Sequence, residues 1–429
     1  IAAAGYSSST AGTSNYIAGV NAGNSITAGG NYNVTVGDEA GTAITTGDSN
    51  TAVGFEALAT EDTASRNTAI GFRSLKTNNG GDNNTAVGEN SGTAVTTGHN
   101  NTLIGQDAGE ALTDADYNTA LGSDALQSDT LGSKSTAVGA AALSTQNFTS
   151  ATDSHNTAVG YEAGKAVTTG QYNTLVGSLT GDAMTTGENN VAMGQDALTT
   201  NVAGDNVVAI GNEAAQLLNP SGNVDMNGVY IGYQAGDEVT TGRHNTVIGA
   251  LTANALTTGS NNLLLGTTAG NADQPGGSIS TGGGQIVLGN ASSTNAHIQI
   301  DWTVASDERD KTDFTALDLG LDFVKELEPV TYKWDKRAKY GNDISTITHD
   351  GTHKEDWLDV GFKAQAVEVL EKAAGYKIAD KTNLTTSLTD DGKQYGLQYS
   401  KFVPILVKAL QELSEKNDAL ESRLAALEA

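Results

Sequence analysis

The chain has 429 residues, no cysteine, four prolines and a formal charge of −27. Its length permits two or three domains, and the absence of cysteine excludes a disulfide framework or a thiolate metal site. No apolar span of about 20 residues occurs, so no membrane insertion is expected. The opening "IAAAGYSSST" lacks the basic stretch and apolar core of a secretory signal. A start at Ile1 reads as a piece of something longer.

The charge is uneven. Residues 1–305 hold 26 Asp+Glu against 6 Lys+Arg, and residues 306–429 hold 24 against 17. The first part is almost without cations, which argues against nucleic acid as a partner because phosphate neutralisation needs Lys and Arg.

Past an N-terminal flank (1–30), a repeat fills residues 31–300. "NTAVGFEAL" at 50 returns as "NTAIGFRSL" at 67, "NTLIGQDAG" at 101 and "NTVIGALTA" at 245. The motif glycines step by 17 residues from Gly37 onward, apart from two steps of 21 and a last one of 23, to Gly289. Insertions that keep phase are what a loop on one face of a stacked coil gives. Each unit has a short alternating piece, T-A-V-G or T-L-I-G, which predicts a brief strand with one face buried. The glycine then allows a turn or a close backbone approach, and a turn, often "TTG", follows.

One unit cannot bury its few aliphatics, whereas stacked units can, pairing strands from coil to coil. Asn at one place in almost every unit suggests an Asn ladder. The expected object is mainly β: a parallel β-roll or β-helix of fifteen coils, roughly 70 Å long at about 4.8 Å per coil. Ala and Gly dominate the inner positions, so one chain's core is thin. That favours several chains side by side. The motif resembles the N-S-V-A-I-G repeat of trimeric bacterial adhesin heads, a left-handed β-roll with a shorter period.

Two chemistries bear on the repeats. Asp/Asn turns such as "GGDNN" do not match the calcium β-roll nonapeptide and read as simple Asx turns, so no metal site or cofactor is assigned. A carboxylate pair for glycoside cleavage belongs to one coil or groove. The acids Glu56, Asp107, Asp124, Glu162, Asp196 and Glu213 instead recur at equivalent places.

After a junction (301–305), residues 306–429 have the composition of an α+β domain. Leu321, Val324 and Leu327 have helical spacing, Pro329 ends that helix, and "VTYKW" reads as a strand. "DVGFKAQAVEVLEKA" reads as strand, turn and helix. "QYGLQYSKFVPILVKAL" passes from a strand into a long helix. Over 402–429 that helix carries a seam at Val403, Leu406, Leu410, Leu413, Asn417, Leu420, Leu424 and Leu427, spaced alternately three and four. These are the a and d positions of a coiled coil, with Asn417 at a register-fixing a site.

Between the two regions stands "SDERDK", which fits S-D-x-R-x-K. With "LEPVTYKWD", "VGFKAQAVEVL" and "YSKFVPILVKALQEL", it resembles the self-cleaving intramolecular chaperone domain of endosialidases and other phage tail spikes and fibres. The resemblance spans 306–429. It implies a domain that trimerises the chain, helps the upstream β-structure fold, and cuts itself off at Ala305–Ser306. Ser306 would be the nucleophile and Lys311 the general base. Asp307 would orient the loop, and Arg309 would either lend positive field or hold Asp307.

A lysine base must be neutral, which needs desolvation or nearby cations. The expected protein is a homotrimeric tail fibre or spike of a virion. It would bind a host cell-surface receptor, a glycan or outer-membrane component, and join other tail proteins through a missing N-terminal part. The alternatives are a bacterial surface trimeric adhesin and a polysaccharide depolymerase spike.

Overall fold

A three-residue strand followed by turns is too short to hold itself, and the chain solves this by repetition. The computed structural model describes residues 6–7, 11–272, 274, 277–299, 303–340, 347–389 and 391–428. The described residues fall into two units: 1–269 with 280–288, and 270–279 with 289–429. Residues 301 and 302 of the junction, several residues of the N-terminal flank and the last residue of the coiled-coil span lie outside the described residues.

The first unit is a parallel β-solenoid. Each coil gives one strand to a single ladder, and neighbouring coils pair one repeat apart: Thr51 with Thr68, Ala52 with Ala69 and Val53 with Ile70. The same register runs from Val34–Val36 to Ile286–Leu288, across all three longer coils. The pairing is made within one chain, coil on coil. Within each strand the middle residue points inward, as Ala52, Ala69, Ala86 and Leu103 do, all fully buried. The flanking Thr and Val or Ile point outward.

The glycine closing each strand is dictated twice over. Gly54 has φ +136°, and a Cβ there would sit 2.3 Å from the carbonyl oxygen of Gly71 in the next coil. Only a residue without Cβ permits both that φ and that approach. The chain then turns through left-handed residues, for example Glu56 (φ 53°) and Leu58 (φ 51°).

The core trades volume between two positions six residues apart. In several coils where the strand offers Ala, a buried Leu stands at the second place (Ala52 with Leu58, Ala69 with Leu75, Ala120 with Leu126), whereas Ala86 with Gly92 and Ala158 with Gly164 leave the space to leucines of the neighbouring coils, Leu75 and Leu103 or Leu143 and Leu175. Where the strand offers Leu, the second place is Gly (Leu103 with Gly109, Leu175 with Gly181). A Cβ on Gly109 would meet Leu103 Cδ2 at 2.7 Å.

The Asn ladder replaces backbone hydrogen bonds that a turn cannot make. The Asn50 N–H donates to Asn33 Oδ1 (2.9 Å), and Asn50 Nδ2 donates to the Ala64 carbonyl (2.9 Å). Asn67 repeats the pair on Asn50 and Gly81 at 2.9 and 2.8 Å, and so on to Asn118. Ser135 continues it by donating its N–H to Asn118 Oδ1 (2.8 Å). These side chains are almost wholly buried yet satisfied.

A second column at a turn uses acids in the same way. Asp48, Asp82, Asp116 and Asp205 accept the N–H of Asn31 (2.6 Å), Ser65 (2.7 Å), His99 (2.7 Å) and Glu188 (2.7 Å).

The second unit is α+β. Strand Val330–Tyr332 pairs antiparallel with Asp359–Gly361, and Thr386–Leu388 with Tyr395–Leu397. Helices α1 (Leu321–Glu326), α2 (Ala364–Ala373) and α3 (Phe402–Glu428) complete it. Among the described residues no helix is long and apolar enough to cross a membrane.

Candidate active site

The stretch 306–311 is organised by its own side chains. Asp307 is extended (φ −65°, ψ 132°), and its carboxylate accepts the Arg309 N–H at 2.9 Å. That is how a short polar residue starts a helical turn. A single 3₁₀ turn, Glu308–Asp310, follows, and the Lys311 N–H closes it on the Glu308 carbonyl (3.1 Å). One turn brings position 311 back beside position 306. Lys311 Nζ lies 2.5 Å from Ser306 Oγ and 3.2 Å from the Ser306 carbonyl oxygen. As an ammonium, Lys311 donates to Oγ. As a neutral amine at the same place it accepts the Oγ proton.

Arg309 lies back on Asp307, with Nη2 at 2.6 Å from Oδ2 and Nε at 3.0 Å from Oδ1. The guanidinium holds the Asp307 carboxyl below its ordinary range, helped by the Arg309 N–H. Of the two roles open to Arg309, holding Asp307 is the one this geometry displays. Ala305, Ser306 and Lys311 are all exposed. One chain therefore brings Ser306 and Lys311 into contact while both stay exposed to solvent.

Further along the chain, side chains tie elements of the second unit together. The Glu412 carboxylate of α3 accepts the Leu321 N–H at the start of α1 (2.7 Å). A Cβ on Gly320 would collide with that carboxylate at 2.4 Å, so glycine is what admits it. The Leu321 N–H holds the Glu412 carboxyl low, with Lys408 assisting. Buried Glu371 of α2 accepts from Thr385 N (2.5 Å) and Oγ1 (2.8 Å) and from both donors of Thr386. Neither carboxylate carries a sequence signal, because each is one acid among many on a helix and its partners are distant in the chain.

The seam of α3 is displayed rather than buried. Val403, Leu406, Leu410, Leu413, Leu420, Leu424 and Leu427 are exposed, Leu410 by 68% and Leu427 by 84%. Asn417 is also exposed and donates to Glu421 Oε1 (3.3 Å). The helix docks on its own unit through a different stripe, Phe402, Ile405 and Ala409. Phe402 stacks on Phe362 with centroids 5.4 Å apart. One face thus holds the helix in place while the heptad face stays uncovered.

Among the described residues no group of three His, Asp or Glu side chains is placed to hold a metal ion. Residues 306–376 match the family described as chaperone of endosialidase, a peptidase family. No curated protein matches the chain.

Proposed function

We propose, for a chain that carries a chaperone-of-endosialidase domain behind a parallel β-solenoid, the role of a phage tail fibre or spike used in host attachment. Its C-terminal unit gathers three copies and then removes itself. The observation that carries the processing step is the 2.5 Å contact of Ser306 Oγ with Lys311 Nζ, at the first residues of the matched segment.

The chemistry follows from that contact. Neutral Lys311 takes the Ser306 hydroxyl proton, and Oγ attacks the Ala305 carbonyl carbon. The C–N bond to Ser306 then breaks as Lys311 returns a proton to the departing amine, leaving Ala305 esterified to Oγ. One water hydrolyses the ester, giving an Ala305 carboxylate and a Ser306 with free amine and hydroxyl. No external substrate is consumed, and each chain reacts once.

The exposure of Lys311 in one chain supports a part for assembly in this step. Packing of copies through the uncovered seam of α3 would bring protein against the 306–311 turn and exclude water. The order is also useful. Parallel coils assemble slowly and expose edges meanwhile, so a clamp that leaves only after assembly protects the shaft and then traps it kinetically.

Charged substitutions in the seam, Leu413→Asp with Leu420→Asp, test this. The expected product is a chain that light scattering finds monomeric and gels find uncut. Efficient cutting by that monomer would overturn the coupling of cleavage to assembly.

A further inference from the structure

The strand ladder of the solenoid turns its larger aliphatics outward. The outward residue preceding the strand-closing glycine is Val36, Val53, Ile70, Val87, Ile104 and Leu121 in successive coils, and it remains aliphatic or Met to Leu288. None of the fifteen is buried: Ile70 is 39% exposed, Leu121 44%, Met193 40% and Leu288 54%. The other outward position of each strand is Thr, Val, Leu or Ile. Neither column holds a charge in any coil, although residues 1–305 carry 26 acids and 6 bases. Single exposed aliphatics are ordinary. An unbroken line of them, edged by an uncharged and mostly Thr column, is a continuous low-polarity face at the upper end of what a lone soluble surface carries.

We propose that this face is where a second copy of the chain packs, shaft against shaft with equivalent coils side by side. Three features select that occupant. The face runs about 70 Å at roughly 4.8 Å per coil and is about 10 Å wide for a three-residue strand. That gives on the order of 700 Å² per copy, close to the ~800 Å² per partner of a stable specific interface.

The spacing of the apolar residues is set by the coil repeat, so a partner with the same repeat meets it along its whole length. The acids stand on the turns, as Asp48, Asp82 and Asp116 do. Copies approaching on that column of turns bring like charges together, and the ladder face lets them meet without that cost. The backbone groups of the strands are already paired within the chain, so the contact is one of side chains, sheet face on sheet face. The inference borrows from the proposed function only the number of copies, not the face.

The chain has no cysteine, so single cysteines report this face directly. Val87→Cys and Val159→Cys place a thiol in the column, and Thr97→Cys and Gln106→Cys place one at exposed sites elsewhere on the coils. Cysteine is close to valine in size, so the coils are retained. Each full-length variant is treated with a short bismaleimide, resolved on a denaturing gel, and weighed in solution by light scattering.

Chain-to-chain products from the column variants several-fold above those from Thr97→Cys and Gln106→Cys are expected. Products no greater than from those controls, in a chain that is multimeric, would overturn the inference and leave the C-terminal clamp standing. Column cross-links in a dimer would keep the inference and remove the threefold clamp. A monomeric chain without cross-links would remove both.

Discussion

Leu103 offers a sharp test of how the solenoid core is filled. Its side chain is fully buried. Its two methyls lie 2.7 Å from where a Cβ would sit on Gly92 and on Gly109. Leu103→Ala therefore opens a hole that neither glycine can fill, and the cost should lie in the upper part of the usual range, about 3–5 kcal/mol. Gly109→Leu alone forces a side chain onto Leu103 and should cost about 1–3 kcal/mol.

Together the two substitutions recreate the pattern of Ala52 with Leu58, whose Leu already sits at φ 51°. The double variant should return to within about 1–2 kcal/mol of wild type, the residue being the left-handed Leu. The readout is the opening free energy of amides in Thr102–Ile104 and the strands on either side, measured by hydrogen exchange. Additive losses in the double variant would refute the volume trade, since the coupling is predicted at several kcal/mol.

Glu61 stands at a corner of its coil where other coils place Ile44, Val95 or Leu112. Its carboxylate is buried, Oε1 accepts the Ala64 N–H, and Oε2 has no hydrogen-bond partner. Burial raises its pKa from 4.5 to about 7. The folded state thus favours the protonated acid. The associated stability is fully present below pH 4.5 and lost as pH rises through about 7, a difference of about 3 kcal/mol. Protection factors of amides near Ala64, which remove the intrinsic pH dependence of exchange, should fall over that window in wild type and stay level in Glu61→Gln.

Asn50→Ala should strand two buried groups, the Asn67 N–H and the Ala64 carbonyl, each now 2.9 Å from the Asn50 side chain. The expected local loss is about 2–5 kcal/mol, and a loss under about 1 kcal/mol would mean that water replaces the ladder.

Glu412 has the opposite pH sign to Glu61. Its carboxyl is held below 4.5 by the Leu321 N–H, so its contribution is present above that value and lost as pH falls through the lowered one. Amides of α1 should exchange several-fold faster in Glu412→Gln than in wild type at neutral pH, and equally in strong acid.

Much of this fold was legible because the repeat imposes one answer fifteen times. A glycine every 17 residues and an Asn at a fixed offset point to stacking, and the structure shows what each does for the next coil. The heptad spacing of Leu406 to Leu427 was equally plain, since a helix converts it into one face. The inner place of Ala in T-A-V followed from the alternation, and the structure buries it. What was not legible is the source of the larger volume, a Leu that arrives from a turn residue such as Leu58. Left-handed leucines have no sequence signature. Nor does the burial of Glu61, which a surface-acid reading passes over. Around Ser306, the pairing with Lys311 came from the resemblance and not from the spacing, and one 3₁₀ turn brings the two side chains together. Neither carried information on solvent, which is set by what packs over the turn.

The most direct test of the account is the intact mass of the purified wild-type chain beside Ser306→Ala and Lys311→Ala. The account predicts separation of wild type into pieces ending at Ala305 and beginning at Ser306, the latter of 124 residues (429 minus 305). It predicts full-length chains from both variants. Cutting at Ala305–Ser306 in either variant, or three chains that all stay whole after assembly, would contradict it.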